Sequence, residues 1–320
     1  MLNTTNSYYH HIIIDLNNLY CRSMYTCFKK SVDVENDNMY AGTIQEVIKR
    51  IKDIHESFGT ADAKVYLLCD NPFSKINERQ EIYPSYKHAR KNKILPPAFY
   101  KTLDTLIEIL KVYSNDYYIV QESNLEADDL VPIVMKQIQN DKQRFLLVSN
   151  DLDWGRGLTK ENISWFNYYT LYNIESFTNE YGFSPKGKSI QMYKAIHGDE
   201  SDNIPNAIPN IRKKLLIYLC THFKTIKELT VGVHNLDISE AWKRKILDAE
   251  TQLKINYQLA DYIVPDNVTF ESCSFTCNEK IKMLQWYYRN LGLAFEAKMI
   301  TDKKEAGADF FQKKKYKRAR

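Results

Sequence analysis

Residues 144–153 read Arg-Phe-Leu-Leu-Val-Ser-Asn-Asp-Leu-Asp, a short apolar run that ends on two acids one residue apart. A run of this length bounded by turn-forming residues reads as a buried strand, which leaves Asp151 and Asp153 at its end. The same figure occurs twice earlier: His-Ile-Ile-Ile closes on Asp15, and Val-Tyr-Leu-Leu-Cys closes on Asp70. Two more strand candidates stand at 117–120 and 163–166, and helical periodicity fills 43–58, 102–113 and 127–139. Strands alternating with helices predict a mostly parallel central sheet covered by helices, an α/β fold. Open sheets of this kind bind ligands at the carboxyl ends of their strands, so the four strand-end acids are expected around one crevice.

Past Tyr172 helical patterns take over, at 189–197, 212–223, 238–247, 251–262 and 278–291. The linear division expected is an α/β core over 1–172, a helical region over 173–300 and a basic tail over 301–320. With 320 residues and 44% hydrophobic content, the chain can bury a sizeable core. Lys and Arg number 44 against 40 Asp and Glu, a net charge of +4, so the distribution of charge informs more than its sum. The six cysteines form no CxxC pair, which argues against a zinc site or a disulfide framework and for a reducing, cytoplasmic setting. No apolar run of about 20 residues is present, so a membrane span is not expected.

Further acids join these four. Leu-Glu-Ala-Asp-Asp at 125–129 opens a predicted helix, and Gly-Asp-Glu-Ser-Asp-Asn covers 198–203. Read alone, Glu126, Asp128 and Asp129 complement a helix dipole, worth up to about 1 kcal/mol each. Together with Asp15, Asp70, Asp151, Asp153, Asp199 and Asp202 they are too many for that reading. Like charges about 4 Å apart repel by roughly 4 kcal/mol at an effective dielectric near 20, so a shared site needs cations or protons. Carboxylates without His or Cys favour Mg²⁺ or Mn²⁺, and two or more such ions can clamp a phosphodiester. Between Asp70 and Thr102 basic and aromatic residues interleave, as suits phosphate neutralisation and base stacking; a solvated basic helix face is the plainer alternative.

Four ordered segments, Ile-Ile-Asp-Leu-Asn-Asn-Leu, Leu-Glu-Ala-Asp-Asp, Ser-Asn-Asp-Leu-Asp-Trp and Gly-Asp-Glu-Ser-Asp-Asn-Ile-Pro, resemble those of the flap endonuclease or 5′-nuclease family, in particular its phage-type branch. The resemblance covers about 10–260 and implies a PIN-like 5′-nuclease core, a helical arch at about 71–112 and a helix-three-turn-helix in the helical region. It implies a first metal site at Asp15, Asp70, Glu126 and Asp128. Asp128 would bridge to a second site at Asp151, Asp153 and Asp199, with Asp129 and Asp202 acting through water. Tyr86, Lys87 and Arg90 are similar to a family motif whose Lys and Arg touch the scissile phosphate, which implies that role for Lys87 and Arg90; Tyr86 is a candidate to stack on an unpaired base, and Arg79, Lys91 and Lys93 would add DNA contacts. The implied activity is hydrolysis of DNA at 5′ flaps or ends, or of RNA primers in RNA-DNA hybrids, by a monomer acting during replication, in a host cytoplasm if viral.

This sequence also departs from the family. Where the helix-three-turn-helix carries glycines that bring backbone amides to phosphate and K⁺, it has Asn206, Pro209 and Ile211, and proline lacks the amide hydrogen. Arg212, Lys213 and Lys214 are the candidates to replace those contacts with side-chain charge. An aromatic expected six residues after Asp15 is replaced by Cys21, with Tyr20 one place early. The basic end 313–320 is a candidate contact for DNA or a replication partner, or a solvated tail. Two rival readings are a PIN-type ribonuclease, which generally lacks the arch and the Gly-Asp-x-x-Asp-Asn segment, and a non-catalytic DNA-binding protein, which would gain by losing the acids.

Overall fold

The computed structural model describes residues 8–29, 37–70, 78–88, 97–138, 140–264, 269–270 and 277–290. In chain order it runs β1 (Tyr9–Asp15), α1 (Leu16–Lys29), α2 (Asp37–Phe58), β2 (Gly59–Leu68), α3 (Glu78–Ile82), α4 (Pro97–Tyr113), β3 (Tyr117–Val120), α5 (Ala127–Gln137), β4 (Phe145–Val148), a 3-10 helix (Leu152–Gly157), β5 (Ile163–Phe166) and β6 (Leu171–Tyr172). Then come α6 (Ile174–Tyr181), α7 (Ser189–His197), a 3-10 helix (Glu200–Asp202), α8 (Lys213–His222), α9 (Ile226–Gly232), a 3-10 turn (Val233–Asn235), α10 (Glu240–Asp248), α11 (Glu250–Leu259) and α12 (Cys277–Asn290). The five strands read from the sequence are all present. The linear division near 172 is not how contacts group: one compact unit holds the residues up to Cys69, from 95 to Val120 and from Thr269 on, and the other holds Asp70 to 94 and 121 to 268.

In the first unit β1, β2 and β3 are parallel, with β2 in the middle and Asp15 opposite Leu68. Ile12, Ile13, Ile14, Leu67 and Leu68 are fully buried, which is why these strands read as unbroken apolar runs rather than alternating ones. Helix α1 packs on α2, and α2 and α12 pack on α4. Tyr20 belongs to this core: its hydroxyl donates to the Phe99 carbonyl at 3.1 Å and its ring meets Phe99 edge-on. It is wholly buried and offers no face to a nucleotide.

In the second unit β4 and β5 are parallel and β6 is antiparallel to β5. The 3-10 helix after β4 lies hard against that strand, and Gly157 permits it: a Cβ there would sit 2.3 Å from Leu147 Cδ1. Helix α6, unforeseen from periodicity because it has only eight residues, is set by its caps. Asn173 Oδ1 accepts the Ser176 amide at 2.7 Å, and Gly182 ends the helix at φ 85°. Helix α7 packs on α8 and α11. The buried Asn256 side chain ties α11 down by donating to the carbonyls of Ala195 (3.0 Å) and Pro205 (2.7 Å). No helix among the described residues is long and apolar enough to cross a membrane.

Candidate active site

The start of α5 gathers the first group of acids. Asp70 reaches it from the end of β2, where its Oδ1 accepts the Ala127 amide at 2.8 Å. An orphan N–H of a helix's first turn thereby gains a partner beside the positive end of the dipole. Glu126 precedes the helix, and its Oε2 lies 2.6 Å from Lys87 Nζ, 3.1 Å from the Tyr86 hydroxyl and 3.3 Å from Arg79. Burial opposes its ionisation, but Lys87 and Arg79 outweigh burial and hold its carboxyl down to about 2. Among the described residues no cation forms a salt bridge with Asp128. Burial, then Asp129, Glu126 and Asp153 push its carboxyl well above the usual range, with Arg79 opposing.

A second group surrounds Lys194. Asp151 caps the 3-10 helix after β4 by accepting the Asp153 amide at 3.0 Å, which turns Asp153 inward. Lys194, 4% exposed on α7, lies 2.5 Å from Asp153 Oδ2, 2.7 Å from Asp199 Oδ2 and 3.8 Å from Asp151 Oδ1. Burial opposes its charge, but the three carboxylates raise its pKa well above the ordinary value. Asp199 is held down to about 2 by Lys194 and Ser201 against the effect of burial. Burial and Asp153 lift Asp151 to about 6 despite Lys194. The turn that carries Asp199 is rigid: Asp199 and Ile204 exchange backbone hydrogen bonds. A side chain at Gly198 (φ 78°) would stand 2.5 Å from the Ile204 carbonyl oxygen.

Asp202 links the two groups. Its backbone carbonyl accepts the Lys87 amide at 2.9 Å, its Oδ2 accepts the Tyr86 hydroxyl at 3.2 Å, and its charge is felt at Asp151. Lys87 takes φ 54° to make this contact, a left-handed conformation that costs a non-glycine residue of order 1 kcal/mol or more. Asp70, Glu126, Asp128, Asp129, Asp151, Asp153, Asp199 and Asp202 all belong to the second unit. Asp15 ends β1 in the first unit, 8% exposed, its Oδ1 accepting the Asn18 amide at 2.9 Å.

Three expectations change. Tyr86 does not present its ring to a base: it is 2% exposed and packs with Ile204 and Leu259. Arg79, expected on DNA, is 3% exposed, and its guanidinium grips Asp129 through two bonds of 2.9 and 2.7 Å. Asp129, expected among the ion ligands, is fully buried with both oxygens engaged by Arg79. Exposed basic residues remain at Arg212, Lys213 and Lys214, at the start of α8. Arg90, Lys91, Lys93, residues 71–77 and 89–96 of the arch and the basic tail lie outside the described residues. The sequence reading missed Lys194; its place four residues after buried Ile190 and five before Asp199 was the available signal.

Does this arrangement suit divalent ions? Among the described residues no three acids or histidines already converge on one point; Lys87 holds Glu126, and Lys194 holds Asp153 and Asp199, instead. Asp153 Oδ1 is nonetheless buried without a hydrogen-bond partner, an uncompensated acceptor of the kind that a cation satisfies. The donors are carboxylates throughout, which suits Mg²⁺ or Mn²⁺.

A model of the 5′-3′ exonuclease N-terminal resolvase-like domain matches residues 10–182, more than half of the chain. The chain is 28% identical to a 5′-3′ exonuclease of Buchnera aphidicola subsp. Schizaphis graminum over 294 residues, covering 87% of this chain and 96% of that one. It is 24% identical to the flap endonuclease Xni of Shewanella woodyi, covering 58% of this chain and 76% of that one. Among solved structures, the phage T5 D15 protein co-crystallised with metal ions matches at a TM-score of 0.61 and 20% identity, covering 91% of this chain and 98% of that one. The T5 D15 flap endonuclease in a complex with DNA and metal ions matches at 0.61 and 19%, covering 92% and 99%; at these identities the likeness is one of fold. With the family model covering more than half of its length, the chain belongs to the 5′-3′ exonuclease and flap endonuclease family, a family of phosphodiester hydrolases.

Proposed function

We propose that this protein hydrolyses phosphodiester bonds in DNA at 5′ flaps and 5′ ends, with divalent ions held by two carboxylate groups. The observation that carries the reading is the crowding of acids from four chain segments in one compact unit, two of them displaced upward in pKa and one with a buried oxygen left bare. A protein that only bound DNA would be improved by losing these charges. Asp70, Glu126 and Asp128 would hold one ion, and Asp151, Asp153 and Asp199 another. Bound there, the ions would supply an activated water and offset charge on the phosphate. Lys87 would add a positive charge against the phosphate oxygens, and its backbone bond to Asp202 fixes where its stem begins. Arg212, Lys213 and Lys214 would neutralise duplex phosphates. The relatives named flap endonuclease and 5′-3′ exonuclease support a 5′ structure as substrate, and the T5 complex with DNA and metal ions supports both partners.

Product mapping on a 5′-labelled flap duplex tests this. Short labelled products should appear with Mg²⁺ and vanish with EDTA. Preferential cutting of single-stranded RNA would favour a ribonuclease, and binding without any cleavage would favour a DNA-binding protein.

A further inference from the structure

Residues 259–263, from the last residue of α11 onward, carry no chemistry that a sequence reading would single out, yet they are held by two buried arginines. Arg79 donates to the carbonyls of Leu259 (3.0 Å) and Asp261 (2.8 Å) while it holds Asp129. The Ile263 amide donates to the same Asp129 carboxylate at 2.9 Å, and the Glu126 amide does so at 3.3 Å. On the other side, Arg156 donates to the Ala260 carbonyl at 2.5 Å, pairs with Asp261 at 3.2 Å and stacks 3.5 Å from the centre of the Tyr262 ring. The Tyr262 hydroxyl donates to the backbone carbonyl of Asp153 at 3.3 Å. Leu259, Asp261 and Ile263 therefore tie this short segment to Arg79 and Asp129, beside Glu126 and Asp128, while Ala260, Asp261 and Tyr262 tie it to Arg156 and to the turn bearing Asp151 and Asp153.

We infer that Leu259–Ile263, gripped by Arg79 and Arg156, is a positioning strap that sets the spacing of the two carboxylate groups, and that Asp129 anchors the strap rather than ligating an ion. A fully buried carboxylate must find partners for its lone pairs, and Asp129 has found all of them within the strap's anchorage. A buried arginine forked between a carboxylate and backbone carbonyls is geometrically specific as well as strong. The strap touches no reacting atom; it acts on catalysis through the separation of two ions, and catalysis falls steeply with misplacement of about 1 Å.

This inference rests on the two-ion reading, so the test measures ion binding before activity. Mn²⁺ stoichiometry by calorimetry, magnetic coupling of the bound pair by electron paramagnetic resonance, and kcat and KM on a flap duplex are compared for the full chain and for Asp129→Asn, Arg156→Lys and Tyr262→Phe. Wild type should bind two coupled Mn²⁺. Asp129→Asn and Arg156→Lys should still bind two, with altered coupling and kcat down at least tenfold at near-constant KM. Tyr262→Phe, which removes one hydroxyl and leaves the ring stacked on Arg156, should alter the coupling and lower kcat about threefold; it decides the matter if the other variants fail to fold. Loss of one Mn²⁺ from Asp129→Asn would make Asp129 a ligand and overturn the inference. Unchanged coupling and kcat in Tyr262→Phe or Arg156→Lys would reduce the strap to scaffolding. If wild type bound no Mn²⁺, the two-ion reading itself would fall, a result distinct from either.

Discussion

Replacing Lys194 by methionine keeps an unbranched side chain one atom shorter and removes the ammonium that stands among Asp151, Asp153 and Asp199. Two of its contacts are at 2.5 and 2.7 Å, and the residue is 4% exposed. Removing one partner of a buried pair costs roughly 3–5 kcal/mol because the other is left uncompensated. The unfolding entropy of globular chains is near 2 cal/mol/K per residue, so in 320 residues this loss corresponds to a melting midpoint lower by roughly 5–7 °C. That figure applies in EDTA. In saturating Mn²⁺ a divalent ion can take over the neutralisation, so the variant should recover most of the loss, and it should bind Mn²⁺ more tightly than wild type because no ammonium has to be displaced. Thermal melts with EDTA and with Mn²⁺, paired with calorimetric titration, read both quantities. An equal deficit in the two conditions, with unchanged Mn²⁺ affinity, would refute the idea that Lys194 occupies ground that an ion would claim.

Three further outcomes are expected. Asp153→Asn should abolish flap cleavage while binding to the duplex in Ca²⁺ persists or strengthens, since repulsion of phosphate falls; full turnover would remove Asp153 from the ion site. Lys87→Ala should reduce the single-turnover rate by about 10²-fold or more while binding changes by much less, and an unaltered rate would place Lys87 outside the chemistry. Metal-free stability should depend on pH in two opposed ways. Glu126 and Asp199, depressed to about 2, stabilise the fold above their unfolded pKa near 4 and lose that contribution as pH falls toward 2. Asp151, raised to about 6, stabilises the fold below its unfolded value near 4 and loses that contribution as pH rises through 6. Melting curves in EDTA from pH 2 to 8 check both signs, and a flat profile across both windows would contradict the assigned environments.

Much of the architecture is local and could be read from the chain. Buried parallel strands are uninterrupted apolar runs, so β1, β4 and the second half of β2 declare themselves through Ile12–Ile14, Phe145–Val148 and Val65–Leu68, and the acids that follow them are legible for the same reason. Helix α6 was not legible, because two turns of helix stabilised by Asn173 and Gly182 leave too short a pattern for periodicity to register. Nor was the fate of the basic residues: Arg79 and Lys87 look alike as charges in one segment, yet one ends in a buried fork with Asp129 and the other faces Glu126.

The sequence by itself determined the buried strands, the longer helices that follow them and the set of acids, since hydrophobic period and residue chemistry act over a few neighbours. Only the tertiary structure decided how those acids divide. Whether a carboxylate is neutralised by Arg79, by Lys194 or by nothing depends on groups tens of residues away, and electrostatic interaction follows distance in space rather than separation along the chain.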